Sequence, residues 1–241
     1  MNMLFDQDPG FISAVKDHFE QKIANLHELH KASSLNNNKF HFEIILLSCC
    51  YIDALAGIFT DEKEVSKRFI ELLIAFGGTN DIDFAKINLI FLSAKIREPI
   101  KNKPMFPQKY NKWISDEIGK RDYSRGDNTV LDLTDDIILG KLFELSTEQE
   151  KKIYGDILKE KLRKSTYAGV LYENYRKPAV HEALTRGHWN TGHEDKPFYV
   201  SIIDLEPDFS FPPAFLIAVV ENILHELYRK CEEMFYKDEF V

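Results

Sequence analysis

The chain has 241 residues, a formal net charge of −8, and is 44% hydrophobic and 29% charged. This is the composition of a folded globular protein, one large domain or two small ones. The acidic balance excludes a protein that coats nucleic acid unselectively. No apolar run approaches the roughly 20 residues of a membrane span, and the first residues lack the basic and apolar regions of a secretory signal. Three cysteines, two of them adjacent at Cys49 and Cys50, make neither a disulfide framework nor a Cys-x-x-Cys metal site. The expectation is a reducing, cytoplasmic setting with no membrane contact.

Residues 9–32 read as a helix, because Phe11, Val15, Phe19, Ile23 and Leu26 recur at steps of three and four. His18, His27 and His30 within it read as surface residues rather than metal ligands. Residues 39–59 form the most apolar segment and are expected at the centre of a bundle. Asp53 sits late in that helix, beside Ala54, Ala56 and Gly57. A buried carboxylate needs a partner. Asp53 is therefore either an exposed acid near a helix end or an acid that orients Arg176 or His181. Thr60 or Asp61 is expected to cap a helix over 61–76, ended by Gly77 and Gly78. Asn80 or Asp81 is expected to cap a fourth, with Phe84, Ile87, Ile90 and Phe91 as its stripe and Pro99 beyond its end.

Residues 98–128 change character: three prolines fall close together, followed by a mixed charged run containing Arg121 and Arg125. The stretch from about 98 to 145 reads as an insertion or lid, with a short helix opening at 132–139. Ser146-Thr-Glu-Gln149 has the spacing of a capping box and starts a long helix to about Asn174. From Lys151 to Lys177 there are eight basic and three acidic residues, against the acidic trend of the chain. Either a solvated, ion-paired helix face or a nucleic-acid surface using Arg163, Lys164 and Lys177 would produce that pattern.

The basic stretch leads into Tyr172-Glu-Asn-Tyr-Arg-Lys-Pro-Ala-Val-His-Glu182. Arg176 offers a permanently charged planar fork suited to phosphate oxygens. His181 offers a ring that exchanges protons near neutrality. Five residues of unbroken helix advance about 140° past a full turn, which separates the two side chains. Pro178 is expected to break the helix and bring them together. Tyr172 and Tyr175 flank the pair, placed either to stack on a base or to pack on the bundle. Glu182 follows directly. His188 and His193 lie in a glycine-containing loop that reads as flexible, not as a metal site. Phe198–Ile203 reads as a strand that pairs with Phe209–Phe211, and Pro213 opens a last helix.

The Arg-x4-His string, the earlier block Cys50–Gly57 followed by Arg68–Leu73, and the helix after Pro212-Pro213 together resemble the HEPN superfamily. Residues 98–145 match no part of that pattern. Lys177 stands where many catalytic members carry Asn, Asp or His. The resemblance implies an all-α helical bundle with a small β-hairpin before the C-terminal helix, a single domain over 1–241, and a homodimer. It implies a metal-independent, cofactor-free ribonuclease of a toxin or antiviral-defence type, with Arg176 and His181 catalytic and Asp53, Glu182, Tyr172 and Tyr175 in support. The alternative it leaves open is a non-catalytic module that dimerises, or binds nucleotides or a protein partner, in a defence or toxin–antitoxin system.

Overall fold

The computed structural model describes residues 8–36, 39–79, 82–101, 103–120, 135–182, 197–200 and 208–238. The architecture is an all-α bundle with one antiparallel strand pair, as expected from the helical periodicity. Helix α1 (Pro9–Leu35) is capped by Asp8, whose carboxylate accepts from the Phe11 N–H at 3.0 Å. It buries Ile12, Val15, Phe19, Ile23 and Leu26, while Phe11, expected on that stripe, is exposed.

Helix α2 (His41–Phe59) packs against α1 and buries Ile44, Ile45, Cys49, Ile52, Leu55, Ala56 and Phe59. It is long and apolar enough to cross a membrane by length and composition, which corrects the expectation that no such segment exists. Here 44% of that stretch is buried, the side that meets α1, α3 and α10.

Helix α3 (Val65–Phe76) begins later than Thr60 or Asp61 would have started it. Thr60 instead completes α2, donating its hydroxyl to the Ala56 carbonyl at 2.8 Å, and the Glu64 N–H donates to the Glu62 carboxylate at 2.9 Å. Asn80 and Asp81, the expected caps of the fourth helix, lie outside the described residues. Helix α4 (Leu89–Arg97) is capped by Asn88, which accepts from the Phe91 N–H at 2.9 Å. Phe84, in a turn, and Ile87, in a β-bridge with Thr166, precede it and are still fully buried.

Helix α5 (Gln108–Gly119) falls in the stretch read as an insertion. It packs on α4 and buries Tyr110 and Ile114, so this part contributes to the main core. Arg121 and Arg125 lie outside the described residues. Helix α6 (Asp135–Glu144) follows. The capping box of helix α7 (Glu148–Ser165) is one residue later than expected: Thr147 accepts from the Glu150 N–H at 3.2 Å, and the Glu150 carboxylate accepts from the Thr147 N–H at 2.6 Å. Ser146 is unavailable for capping because its hydroxyl donates to the Leu142 carbonyl and also meets the Tyr110 hydroxyl.

α7 also ends earlier than expected. Thr166 turns extended, at ψ 158°, and caps a new short helix α8 (Tyr167–Leu171) by accepting from the Gly169 N–H at 3.0 Å. The segment before α4 fills the gap: the Asn88 N–H donates to the Ser165 carbonyl at 2.8 Å and the Tyr167 N–H to the Lys86 carbonyl at 3.0 Å. A side chain at Gly169 would place its Cβ 2.4 Å from the Lys164 carbonyl oxygen, so the tight junction requires glycine there.

Strands β1 (Phe198–Val200) and β2 (Asp208–Ser210) pair with Phe198 opposite Ser210. Helix α10 (Pro213–Asp238) then packs on α1, α2 and α3. The Tyr175 hydroxyl joins β2 to the motif helix, donating to the Phe209 carbonyl and accepting from the Phe211 N–H, both at 3.1 Å. Its ring meets Phe211 edge-on. Tyr175 is thus a packing residue. Tyr175→Phe should leave two buried backbone groups unmet and lower the unfolding free energy by about 1–3 kcal/mol, read from urea denaturation with unchanged slope.

Candidate functional site

The helix carrying the Arg-x4-His string does not break at Pro178. It runs from α8 through one π-helical turn (Tyr172–Arg176) into α9 (Lys177–Glu182). Lys177 is helical, at φ −64° and ψ −51°, and its N–H donates to the Tyr172 carbonyl five residues back. This corrects the expected break, and the reason is local. A proline in a regular helix lacks its donor and its ring collides with the carbonyl four residues earlier. A turn widened by one residue relieves the collision without ending the helix.

Continuity decides where the two motif side chains go. Arg176 is turned inward and is only 9% exposed, whereas His181 is exposed. The side chains diverge by the helical advance that a break would have cancelled. Within one chain the structure therefore does not bring Arg176 and His181 onto a common face.

The partner of Arg176 is Asp53. Arg176 Nη2 donates to Asp53 Oδ2 at 2.6 Å. The other carboxylate oxygen, Oδ1, accepts from Arg68 Nη2 at 2.9 Å and from Arg68 Nε at 3.2 Å. One carboxylate from α2 is thus shared by a guanidinium from α3 and another from the π turn. The Arg176 guanidinium also lies 5.5 Å from the centre of the Tyr172 ring, which meets Phe69 edge-on. Burial pushes the Tyr172 phenol up from its ordinary value. Burial likewise raises the thiol of Cys50, one turn before Asp53 on α2, against the pull of Arg176. Neither group is an anion near neutral pH.

Two features of the cluster leave it incomplete. Two positive charges face one negative charge, so one positive charge is uncompensated within the trio. Arg176 Nε is buried and has no hydrogen-bond partner among the described residues. A buried donor left unmet costs about 1–3 kcal/mol.

The other expected residues are placed less suggestively. Lys177 is exposed and lies 3.6 Å from Glu173. Lys164 pairs with Glu160 at 2.7 Å, and Arg163 lies 3.6 Å from Glu64. Lys161 meets Glu98 at 2.5 Å. Much of the basic stretch is therefore an ion-paired helix face, the simpler of its two readings. Glu182 is exposed. His188 and His193 lie outside the described residues, and among the described residues no three His, Cys, Asp or Glu side chains converge as a metal set.

Arg68 carried no role in the sequence reading. Its signal was the antiparallel helix pair, which brings a residue late in α2 opposite one early in α3. Comparisons with protein-family models, curated proteins and solved structures find no match.

Asp53→Ala should leave two guanidiniums facing each other without a counter-charge and cost about 3 kcal/mol or more. Arg68→Gln should cost about 1 kcal/mol or less, because Arg176 still pairs the carboxylate. Thermal and urea denaturation of the two variants, compared with wild type, checks that ranking.

Proposed function

We propose that the protein is a metal-independent ribonuclease of the toxin or antiviral-defence type that cleaves RNA by attack of its own 2′-hydroxyl, acting as a homodimer. The observation that carries this reading is the incompletely neutralised arginine cluster, one and a half helical turns from an exposed histidine on the same continuous helix. RNA supplies the nucleophile. The 2′-oxygen bonds to phosphorus as its proton leaves to a base, the bond to the 5′-oxygen breaks, and that oxygen is protonated. The products are a 2′,3′-cyclic phosphate and a 5′-hydroxyl. Arg176 stabilises charge on the non-bridging oxygens, and His181 moves the proton.

The divergence of the two side chains assigns them to different sites within a chain. A two-fold pair resolves this by bringing His181 of one copy to Arg176 of the other. One observation favours the second reading, a non-catalytic dimerisation or nucleotide- or partner-binding module of a defence or toxin–antitoxin system. Arg176 already has a carboxylate partner and little exposure, as a purely structural arginine would.

Chelator-treated protein on labelled single-stranded RNA separates the readings. Cleavage to 2′,3′-cyclic ends is expected, and either Arg176→Ala or His181→Ala should lower its rate about 10²–10⁴-fold. Arg176→Lys should also be weak, because an ammonium cannot reproduce the two-point fork. Lys177→Ala should weaken RNA affinity and spare the saturated rate. Mixing the two inactive alanine variants should restore part of the activity, since one of the two shared sites is then intact. No cleavage by wild type across varied RNAs favours the binding module, and equal cleavage by wild type and His181→Ala indicates a contaminating nuclease. Light scattering that gives a monomer at micromolar concentration removes the shared site.

A further inference from the structure

We infer that Arg68 is a second phosphate-anchoring residue, and that Arg68 and Arg176, held apart by Asp53, together take one internal phosphodiester of single-stranded RNA. The inference rests on the RNA reading above for the identity of its ligand. Its own evidence is the geometry of the trio.

A purely structural role for Asp53 needs one guanidinium. Arg176 alone gives the carboxylate a charge-assisted hydrogen bond at 2.6 Å from a nearly buried side chain. Adding Arg68 places a second positive charge on the same carboxylate, through two donors to one oxygen at 2.9 and 3.2 Å. Like charges held this closely repel, and the arrangement gains from a further anion. The unmet Arg176 Nε, on a side chain that is 11% exposed, marks where the existing partner fails to answer the donors.

Of the acids on the adjoining turns, Glu64 stands 3.6 Å from Arg163 and Glu173 stands 3.6 Å from Lys177. Within the trio, Arg68 and Arg176 against Asp53 leave one net positive charge. A phosphodiester carries one negative charge, whereas a terminal phosphate carries nearly two. The charge count therefore matches an internal linkage of a strand rather than its end. Gly57, one turn beyond Asp53, adjoins Arg68: a Cβ there would stand in ordinary contact, 3.7–3.9 Å from the guanidinium atoms. Asp53 is a positioning residue in this scheme, fixing both forks before the strand arrives.

The test uses a 2′-O-methyl RNA oligonucleotide, which lacks the attacking hydroxyl and so reports binding without cleavage. Its affinity for the full-length protein is measured by fluorescence anisotropy over a range of salt concentrations. Arg68→Gln and Arg176→Gln should each weaken binding about tenfold or more. Each should also flatten the dependence of log affinity on log salt by about 0.7, the loss of one phosphate contact. Arg68→Lys should keep the salt slope and recover only part of the affinity. Lys230→Gln on α10, remote from the trio in sequence and paired with Glu233 at 3.1 Å, should change neither. A 5′-phosphate added to the probe should not strengthen binding. Thermal melts confirm that each variant is folded. Wild-type protein that does not bind the probe, or a folded Arg68→Gln variant with wild-type affinity and slope, overturns the assignment. Arg68-dependent binding without cleavage of unmodified RNA sinks the ribonuclease reading and leaves the anchor standing. Cleavage with an unchanged KM in Arg68→Gln does the reverse.

Discussion

The shared carboxylate of Asp53 is the interaction on which the rest of the candidate site depends. It sits on α2, the helix with the most apolar surface and the most central position. A carboxylate placed there is stable only with its charge answered. Two guanidiniums answer it, one from α3 and one from the π turn. The same bonds that neutralise the acid therefore fix α3 and the motif helix against α2. They also concentrate positive charge at one point on a chain whose overall charge is −8. Structure and candidate chemistry share a single set of hydrogen bonds, which is why substitutions there must be judged by both stability and binding.

The π turn is the second constraint. One extra residue in the turn accommodates Pro178 and leaves the helix continuous. It places Tyr175 and Arg176, neighbours in sequence, both inside the protein. Tyr175 reaches the backbone of β2 and the residue following it, and Arg176 reaches Asp53. His181, one and a half turns later, faces outward. Arg176 and His181 are thus presented to different surroundings. Any reaction that uses both needs a second copy, and a role in binding alone needs only the first.

The charge pattern of the long helix bears on how nucleic acid would be held. The excess of basic residues from Lys151 to Lys177 looks in one dimension like an extended polyanion track. In three dimensions Lys161, Arg163, Lys164 and Lys177 each face an acid within 4 Å. Exposed pairs of this kind contribute little to stability but cancel the local field. Affinity for a strand would then come from a few fixed contacts at the two arginines on Asp53 rather than from a long basic groove, which accords with the acidic whole.

The sequence by itself determined the all-α class, the central place of α2 and the short strand pair before the last helix, and it left Asp53 with two readings, an exposed acid near a helix end or an acid paired with Arg176 or His181. Those follow from periodicity, turn residues and the cost of burying a charge, all of which are local or compositional. The capping box was legible to within one residue; its register depended on Ser146 being engaged by Tyr110 and Leu142, a contact between distant parts of the chain. The end of α7 at Thr166 was not legible, because the backbone partners that stabilise it come from 86–88, some eighty residues earlier. The pairing of Arg68 with Asp53 is not legible in the sequence, because it arises only where α3 packs on α2. The chain alone predicts a break at the proline, because its lost hydrogen bond and steric clash are local properties. Only the tertiary structure decided that a wide turn would absorb them, because burying Tyr175 and pairing Arg176 with Asp53 reward a helix that continues inward-facing through the proline.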